Sequence, residues 1–326
     1  MPRLAIIISA VGSIEALENT LVSVLENRPS DSEVVVVLNQ PYADPYELKH
    51  EVRLISAPRG AGRLACAQLG ISATNAPVVH LLDAGCLASE GWCEAALSYF
   101  HNPRIGAVSP AIFAWDKPDE LIAAGVEATR GGARRVLRKV PTPAQSGAAL
   151  GVHGPAGCAA FYRKAVIEKV GGLPTALGNN QFDVELATLI RHVGFTAVCE
   201  PKSRVVSPRQ AVSGTHGMRE AFYAERRFWR NVPEIGWTTA IVAHLALIAW
   251  EAVCSIPRPR LVTQLVGRLA GCCQMGSYAR HRLWLQTLDK TIPMLPVRPA
   301  GERLRMDRSH EPLSKSENYE ARVKAG

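Results

Sequence analysis

The sequence has few cysteines, eight in 326 residues, too sparse for a disulfide scaffold. None forms a CxxC pair, and Cys272 and Cys273 are adjacent, so no common zinc pattern is present. That usage fits a reduced, cytosolic compartment. The first apolar run, residues 4–8, is too short for the hydrophobic region of a secretory signal, so no leader is expected. Zinc-finger spacing, aromatic RNP-type motifs and a helix-turn-helix pattern are all missing, and no nucleic-acid partner is expected. There is no internal repeat.

What is present is a globular composition, 47% apolar and 20% charged, with 26 Gly and 22 Pro. The length suits one large domain or a domain with an appendage. The net charge of +8 is unevenly placed. Residues 1–200 hold 17 Lys+Arg against 19 Asp+Glu, whereas residues 201–326 hold 20 against 10. A near-neutral body with a basic final third points to an anionic surface. Membrane phospholipid and nucleic acid are the two candidates, and only the second has a module to look for.

Apolar runs at 4–8, 34–38, 52–55 and 78–82 read as buried parallel strands, and 15–25 and 64–74 carry helical spacing. Strands alternating with helices imply βαβ units, a mostly parallel sheet, and ligands bound beyond the carboxyl ends of the strands. Asn39 and Asp83 would stand there. A helix at 90–100, a strand near 105–109, an irregular stretch at 116–150 and a strand at 158–162 follow. After them come a helix at 164–170, the pair Gly171-Gly172, a helix at 183–193 opened by Asp183, and a short strand at 196–199. Residues 219–231 form a basic helix. The apolar stretch 235–256 is long enough to span a bilayer, but His244 and Glu251 interrupt it, sharing one helical stripe with Trp237. A helix lying in the membrane interface, or buried against the body, fits better than a span. The expected organisation is a body at 1–206, a helical, membrane-associated region at 207–296 and a disordered polar tail at 297–326.

Four segments carry chemistry in a telling order. Arg59 to Gly70 is a glycine-rich turn and helix, and Leu81-Leu82-Asp83-Ala84-Gly85 closes a strand. Gly157 to Gly172 is a strand, helix and glycine turn, and Phe182-Asp183-Val184-Glu185-Leu186 is an acidic helix start. Over about residues 4–206 this resembles the family 2 glycosyltransferases of GT-A fold. The resemblance implies an α/β class, with a GT-A-type mostly parallel sheet flanked by helices and a C-terminal helical appendage. It also implies inverting transfer of a sugar from a nucleotide-sugar donor to a hydroxyl of a polysaccharide or lipid-linked glycan, at the cytoplasmic face of the membrane.

Such a transfer must neutralise charge growing on the departing diphosphate and take a proton from the acceptor hydroxyl. By the resemblance, Asp83 is the first acid of a DxD motif and the ligand of a divalent metal, Mg or Mn. Gly85 takes the place of the second acid, which weakens that site. Asp183 is the general base. Asn39 lies by the nucleoside, Arg134 and Arg135 of the basic loop by the diphosphate, and Gly171, Gly172 and Glu185 on the acceptor side. The chain departs from the family pattern at Asn39, at Ala67-Gln68 and at Ser207, with His216 nearby as a substitute histidine.

Two other classes are carried. Gly60-Ala61-Gly62-Arg63-Leu64-Ala65 fits GxGxxA after a strand, the local form of a dinucleotide-binding loop in an NAD-dependent oxidoreductase. It leaves the Gly171-Gly172 and Asp183 segments unexplained. The altered motifs also fit a non-catalytic GT-A-like binding domain.

Overall fold

Leu4–Ala10 (β1) is buried along its whole length, as an unbroken aliphatic run must be when both faces of a sheet are covered. It pairs in parallel with Ser32–Leu38 (β2), which pairs in parallel with Val52–Ser56 (β3). The other strands are β4 (Val78–Asp83), β5 (Leu87–Ala88), β6 (Ile105–Ala114), β7 (Lys117–Ala123), β8 (Val126–Ala128), β9 (Arg134–Val136), β10 (Gly151–Val152), β11 (Ala159–Arg163) and β12 (Thr196–Ser207). The main sheet runs β10-β12-β6-β11-β4-β1-β2-β3, with β5 beside β12 and β7 beside β6; β8 and β9 form a separate hairpin. β11 is antiparallel to β4, so its first residues lie at the carboxyl end of β4. This is a computed structural model describing residues 2–142, 150–213, 217–255, 260–288 and 290. His216 and the tail at 297–326 lie outside the described residues.

The helices in this numbering are α1 (Ile14–Asn27), α2 (Arg63–Ala73), α3 (Trp92–Leu97), α4 (Lys164–Lys169), α5 (Gly178–His192), α6 (Arg209–Ser213), α7 (Met218–Ile235), α8 (Trp237–Ser255), α9 (Arg260–Cys272) and α10 (Met275–Thr287). One apolar cluster lies on the side of α1 and α3, and a second on the side of α2 and α5. Ser13 caps α1, its hydroxyl accepting from the Ala16 amide at 3.1 Å.

Three expectations are corrected. The stretch read as irregular holds β7, β8 and β9. The first four residues of β7 are exposed, so the apolar alternation that marks a strand is missing there. The strand at 196–199 continues to Ser207 through an irregularity between Glu200 and Arg204, where Pro201 and Lys202 break the apolar run. The helix carrying Asp183 begins at Gly178, so Asp183 lies in its second turn and does not cap it.

Candidate functional site

The strand ends bring the site together. Ser9 of β1 is in register with Asp83 of β4, and Ala10 with Leu38, so Asn39 and Asp83 share the carboxyl rim of the sheet two strands apart. Asn39 donates from Nδ2 to the Ala61 carbonyl at 3.1 Å, pinning the glycine turn that starts α2. Arg63, the first residue of α2, reaches the same rim. Its Nη1 forms an ion pair with Asp83 Oδ2, and its guanidinium lies 4.9 Å from the centre of the Phe182 ring. Burial pushes the Asp83 carboxyl above its ordinary value, and Arg63 offsets part of that. The Asp83 amide donates to the Cys158 carbonyl at 2.9 Å, which ties the strand end to the start of β11.

Asp183 is buried to 1% exposure beside the same segment. The Gly157 amide donates to its Oδ2 at 3.2 Å, while Arg63 Nη1 donates to the Gly157 carbonyl at 3.5 Å. Gly157 therefore stands between the two acids, its amide on Asp183 and its carbonyl toward the arginine that holds Asp83. Arg134 of β9 grips Asp183 with both ends of its fork, Nε to Oδ1 at 3.0 Å and Nη2 to Oδ2 at 2.7 Å. Burial works against the charge on Arg134, and the Asp183 carboxylate outweighs it, raising the guanidinium above its ordinary value. A Cβ at Gly157 would overlap the Phe182 ring, so only glycine lets the segment leading into β11 approach α5 this closely.

The other expected residues lie apart. Arg135 faces outward and pairs with Glu127 across the hairpin. Glu185, placed on the acceptor side by resemblance, points away from Asp183. It is fully buried against α7 and α10, accepting from Asn231 Nδ2 at 2.6 Å with Arg230 and His281 each at 3.5 Å. Two residues along a helix turn the side chain to nearly the opposite face. Gly171 and Gly172 have φ of +80° and +94° and meet Trp284 and Gln68; Gln68 Oε1 accepts from the Leu173 amide at 2.8 Å. They shape the connection into α5 and do not touch Asp83 or Asp183.

The sequence reading missed three residues here. Arg63 passed as one letter of a glycine motif, although a residue opening a helix after a strand must sit at the sheet rim. Arg227 donates from Nε to Gln181 Oε1 at 2.8 Å and from Nη2 to the Gly132 carbonyl. Glu220 accepts from Asn180 at 3.0 Å and from Gln181, and burial raises its carboxyl above the ordinary value. Arg227 and Glu220 come from α7, 39 to 46 residues along the chain from the α5 residues they hold, and no local pattern links them to it.

A divalent metal was expected at Asp83. The residues do not fit one: the Asp83 carboxylate is taken by Arg63, and position 85 has φ +94° and no side chain. Among the described residues no three His, Cys, Asp or Glu side chains stand together to hold an ion. The GxGxxA reading also fails on geometry. Its loop follows β3 at the edge of the sheet, and Asp83 ends β4, which pairs with β1 and β11.

A family profile described as "Glycosyl transferase family 2" matches residues 5–171, half of the chain. The chain belongs to glycosyl transferase family 2. Polypeptide N-acetylgalactosaminyltransferase 12 of Mus musculus is 32% identical over 123 residues, 34% of this chain and 21% of that protein; the Homo sapiens protein of the same name matches to the same extent. The family 2 chain thus spans about a fifth of the length of the curated relatives it matches. Among solved structures, the mannosyltransferase PcManGT of Pyrobaculum calidifontis, in complex with GDP-Man and Mn2+, aligns with a TM-score of 0.50 at 16% identity, covering 87% of each chain. GalNAc-T7 with UDP, GalNAc and Mn2+ gives 0.57 at 15% identity, over 90% of this chain and 58% of that one. S. aureus TarS 1-349 gives 0.56 at 10%, over 88% and 83%. At these identities the likeness is one of fold, and the fold of this family 2 protein is the GT-A type.

Proposed function

We propose that this protein transfers a sugar from a nucleotide-sugar donor to a hydroxyl of a polysaccharide or lipid-linked glycan, inverting the anomeric carbon. The observation that carries the reading is the placing of Asp83 and Asp183 on either side of Gly157, the first through Arg63 and the second directly, on the rim where open α/β sheets bind ligands. The GDP-Man and UDP named with the solved neighbours support a nucleotide donor.

The acceptor oxygen attacks the anomeric carbon opposite the diphosphate. The bond from that carbon to the diphosphate oxygen breaks, and the hydroxyl proton passes to Asp183. Asp183 is free to take it only when Arg134 lets go. A turn of Arg134 toward the diphosphate would release the base and meet the growing charge in one motion. Asn39 stands on the nucleoside side, Arg135 at the outer edge, and the Gly171-Gly172 turn sets the path of the acceptor-side helix.

The helical region is the membrane-docking part, at the cytoplasmic face. α8 turns His244 and Glu251 inward to Glu225 and Arg268, which leaves Val242, Leu245, Trp250 and Val253 exposed. Val262, Leu265, Val266 and Leu269 of α9 are exposed beside them. An outward apolar face over an inward polar one suits a helix pair lying on a bilayer.

The test is nucleoside diphosphate release from UDP- and GDP-sugars with glycan and lipid-linked acceptors. Asp183→Asn should lower kcat by about 10²- to 10⁴-fold with donor binding retained. Equal rates for the two proteins remove Asp183 as base. A second reading, a glycan-binding domain without turnover, is favoured by the arginine held on each acid; it is selected by glycan binding with no turnover of any donor.

A further inference from the structure

We propose that the donor diphosphate is bound without a divalent metal, by the guanidinium of Arg63 standing where an ion would sit beside Asp83. The inference rests on the nucleotide-donor reading above and goes beyond it.

Three observations carry it. First, Asp83 is already neutralised by a fixed cation. Arg63 is clamped between the Asp83 carboxylate and the Phe182 ring, its side chain 15% exposed and that of Asp83 18%. Two carboxylates with a divalent ion sum to zero charge, and so does one carboxylate with one guanidinium. The rim therefore presents the same net charge with one acid fewer. Second, the missing acid is a change of backbone as well as of side chain. Position 85 has φ +94°, and its amide donates to Thr20 Oγ1 at 2.8 Å and to the Ala16 carbonyl at 3.1 Å. An L-residue there is strained, so an aspartate would not simply restore a ligand. Third, Arg63 has N–H groups to spare. Of its five, one makes the strong bond to Asp83. The contacts to the Gly157 and Asn179 carbonyls are long, 3.5 and 3.4 Å, and Nε is buried with no partner. A planar fork with unused donors, held rigid at the carboxyl end of β4, matches the oxygens of a diphosphate.

The experiment is isothermal titration of the full chain with UDP and with GDP, in EDTA and in MnCl2, for the wild type, Arg63→Met and Asp83→Asn. Thermal unfolding reports whether each variant is folded. The expected result is a Kd unchanged within about threefold between EDTA and manganese. Arg63→Met should weaken binding by about tenfold to a hundredfold, the worth of one charged hydrogen bond. Asp83→Asn frees Arg63 and should keep or tighten binding. Arg63→Met thus weakens binding where Asp83→Asn does not, and the unfolding measurement separates a misfolded Arg63→Met from a folded one that has lost its donor. Binding that needs manganese and is lost in Asp83→Asn overturns the inference and leaves the donor reading standing. No binding of either nucleotide under both conditions overturns the inference and the donor reading together.

Discussion

At the scale of single residues, the site is a set of buried charges that only their partners make tolerable. Asp183 receives Arg134, the Gly157 amide and the Val184 amide, the last at 2.8 Å. Removing one member of such a pair strands the other in a dry place. Asp183→Ala should therefore lose about 3–5 kcal/mol, read by urea unfolding, and Arg134→Met a similar amount. Losses under about 1 kcal/mol for both would show that the pair is solvated. His80 follows the same logic without charge. It sits in β4 with Trp92 Nε1 donating to its Nε2 at 3.2 Å, which leaves its Nδ1 proton for the Ala160 carbonyl, and its ring stacks on Phe161 at 3.8 Å between centres. The places of Asp83 and Asn39 at the sheet rim were legible in the sequence because strand ends fix where such residues stand, while Asp183, read as a helix start, lies a turn further in. Arg134 was named for the basic loop, but its grip on Asp183 was not legible, since a partner forty-nine residues away leaves no trace in local spacing, nor was that of Arg63 on Asp83.

At the scale of elements, α8 reconciles a hydrophobic stretch with its two polar residues. His244 Nε2 meets Glu225 Oε1 at 3.0 Å, Arg268 Nη1 donates to Glu225 Oε2 at 2.8 Å and Arg268 pairs with Glu251. Although burial alone would raise the Glu225 carboxyl, His244 and Arg268 bring it down to about 2. The seven-residue spacing of His244 and Glu251 made this stripe readable in the sequence, while its partners on α7 and α9 were not. If the outward face docks on lipid, Leu245→Glu together with Trp250→Glu should abolish cosedimentation with phosphatidylglycerol vesicles and leave the melting temperature in place. Undiminished cosedimentation would assign that face another role. The strand at the head of the sheet, β1, was the easiest element to read, because continuous burial leaves a continuous aliphatic run. β8 and β9 were the hardest, being three residues each and half-buried.

Across the whole molecule, the helical region is bound into the site hairpin as well as appended to the sheet. The Gly131 carbonyl meets His244 Nδ1 at 2.6 Å, the Gly132 carbonyl accepts from Arg227, and a Cβ at Gly132 would strike Phe228. Arg134 stands two residues on, so the helices that cover the body also set the arginine on Asp183. The molecule should be acid-sensitive as a unit. Burial lowers His80 to about 3, His153 to about 4 and His281 to about 3, from an ordinary 6.5. The unfolded chain takes up these protons first. Stability is therefore complete above about pH 6.5 and falls toward pH 4, by at most about 1.4 kcal/mol per histidine per pH unit. Glu225 acts in the same sense: its contribution is present above its ordinary 4.5 and lost as the pH falls through about 2. Urea midpoints at about pH 7, 5.5 and 4.5 should step downward, and an invariant midpoint would contradict the burial of these rings.

The position of Gly157 between the two acids has a kinetic consequence. The Gly157 amide donates to Asp183 and its carbonyl lies 3.5 Å from Nη1 of the arginine on Asp83, so a shift of this residue is felt on both sides. A protein wired this way should load its substrates in a compulsory sequence, nucleotide first. Initial-rate patterns with a nucleotide product as inhibitor should then be competitive against one substrate only.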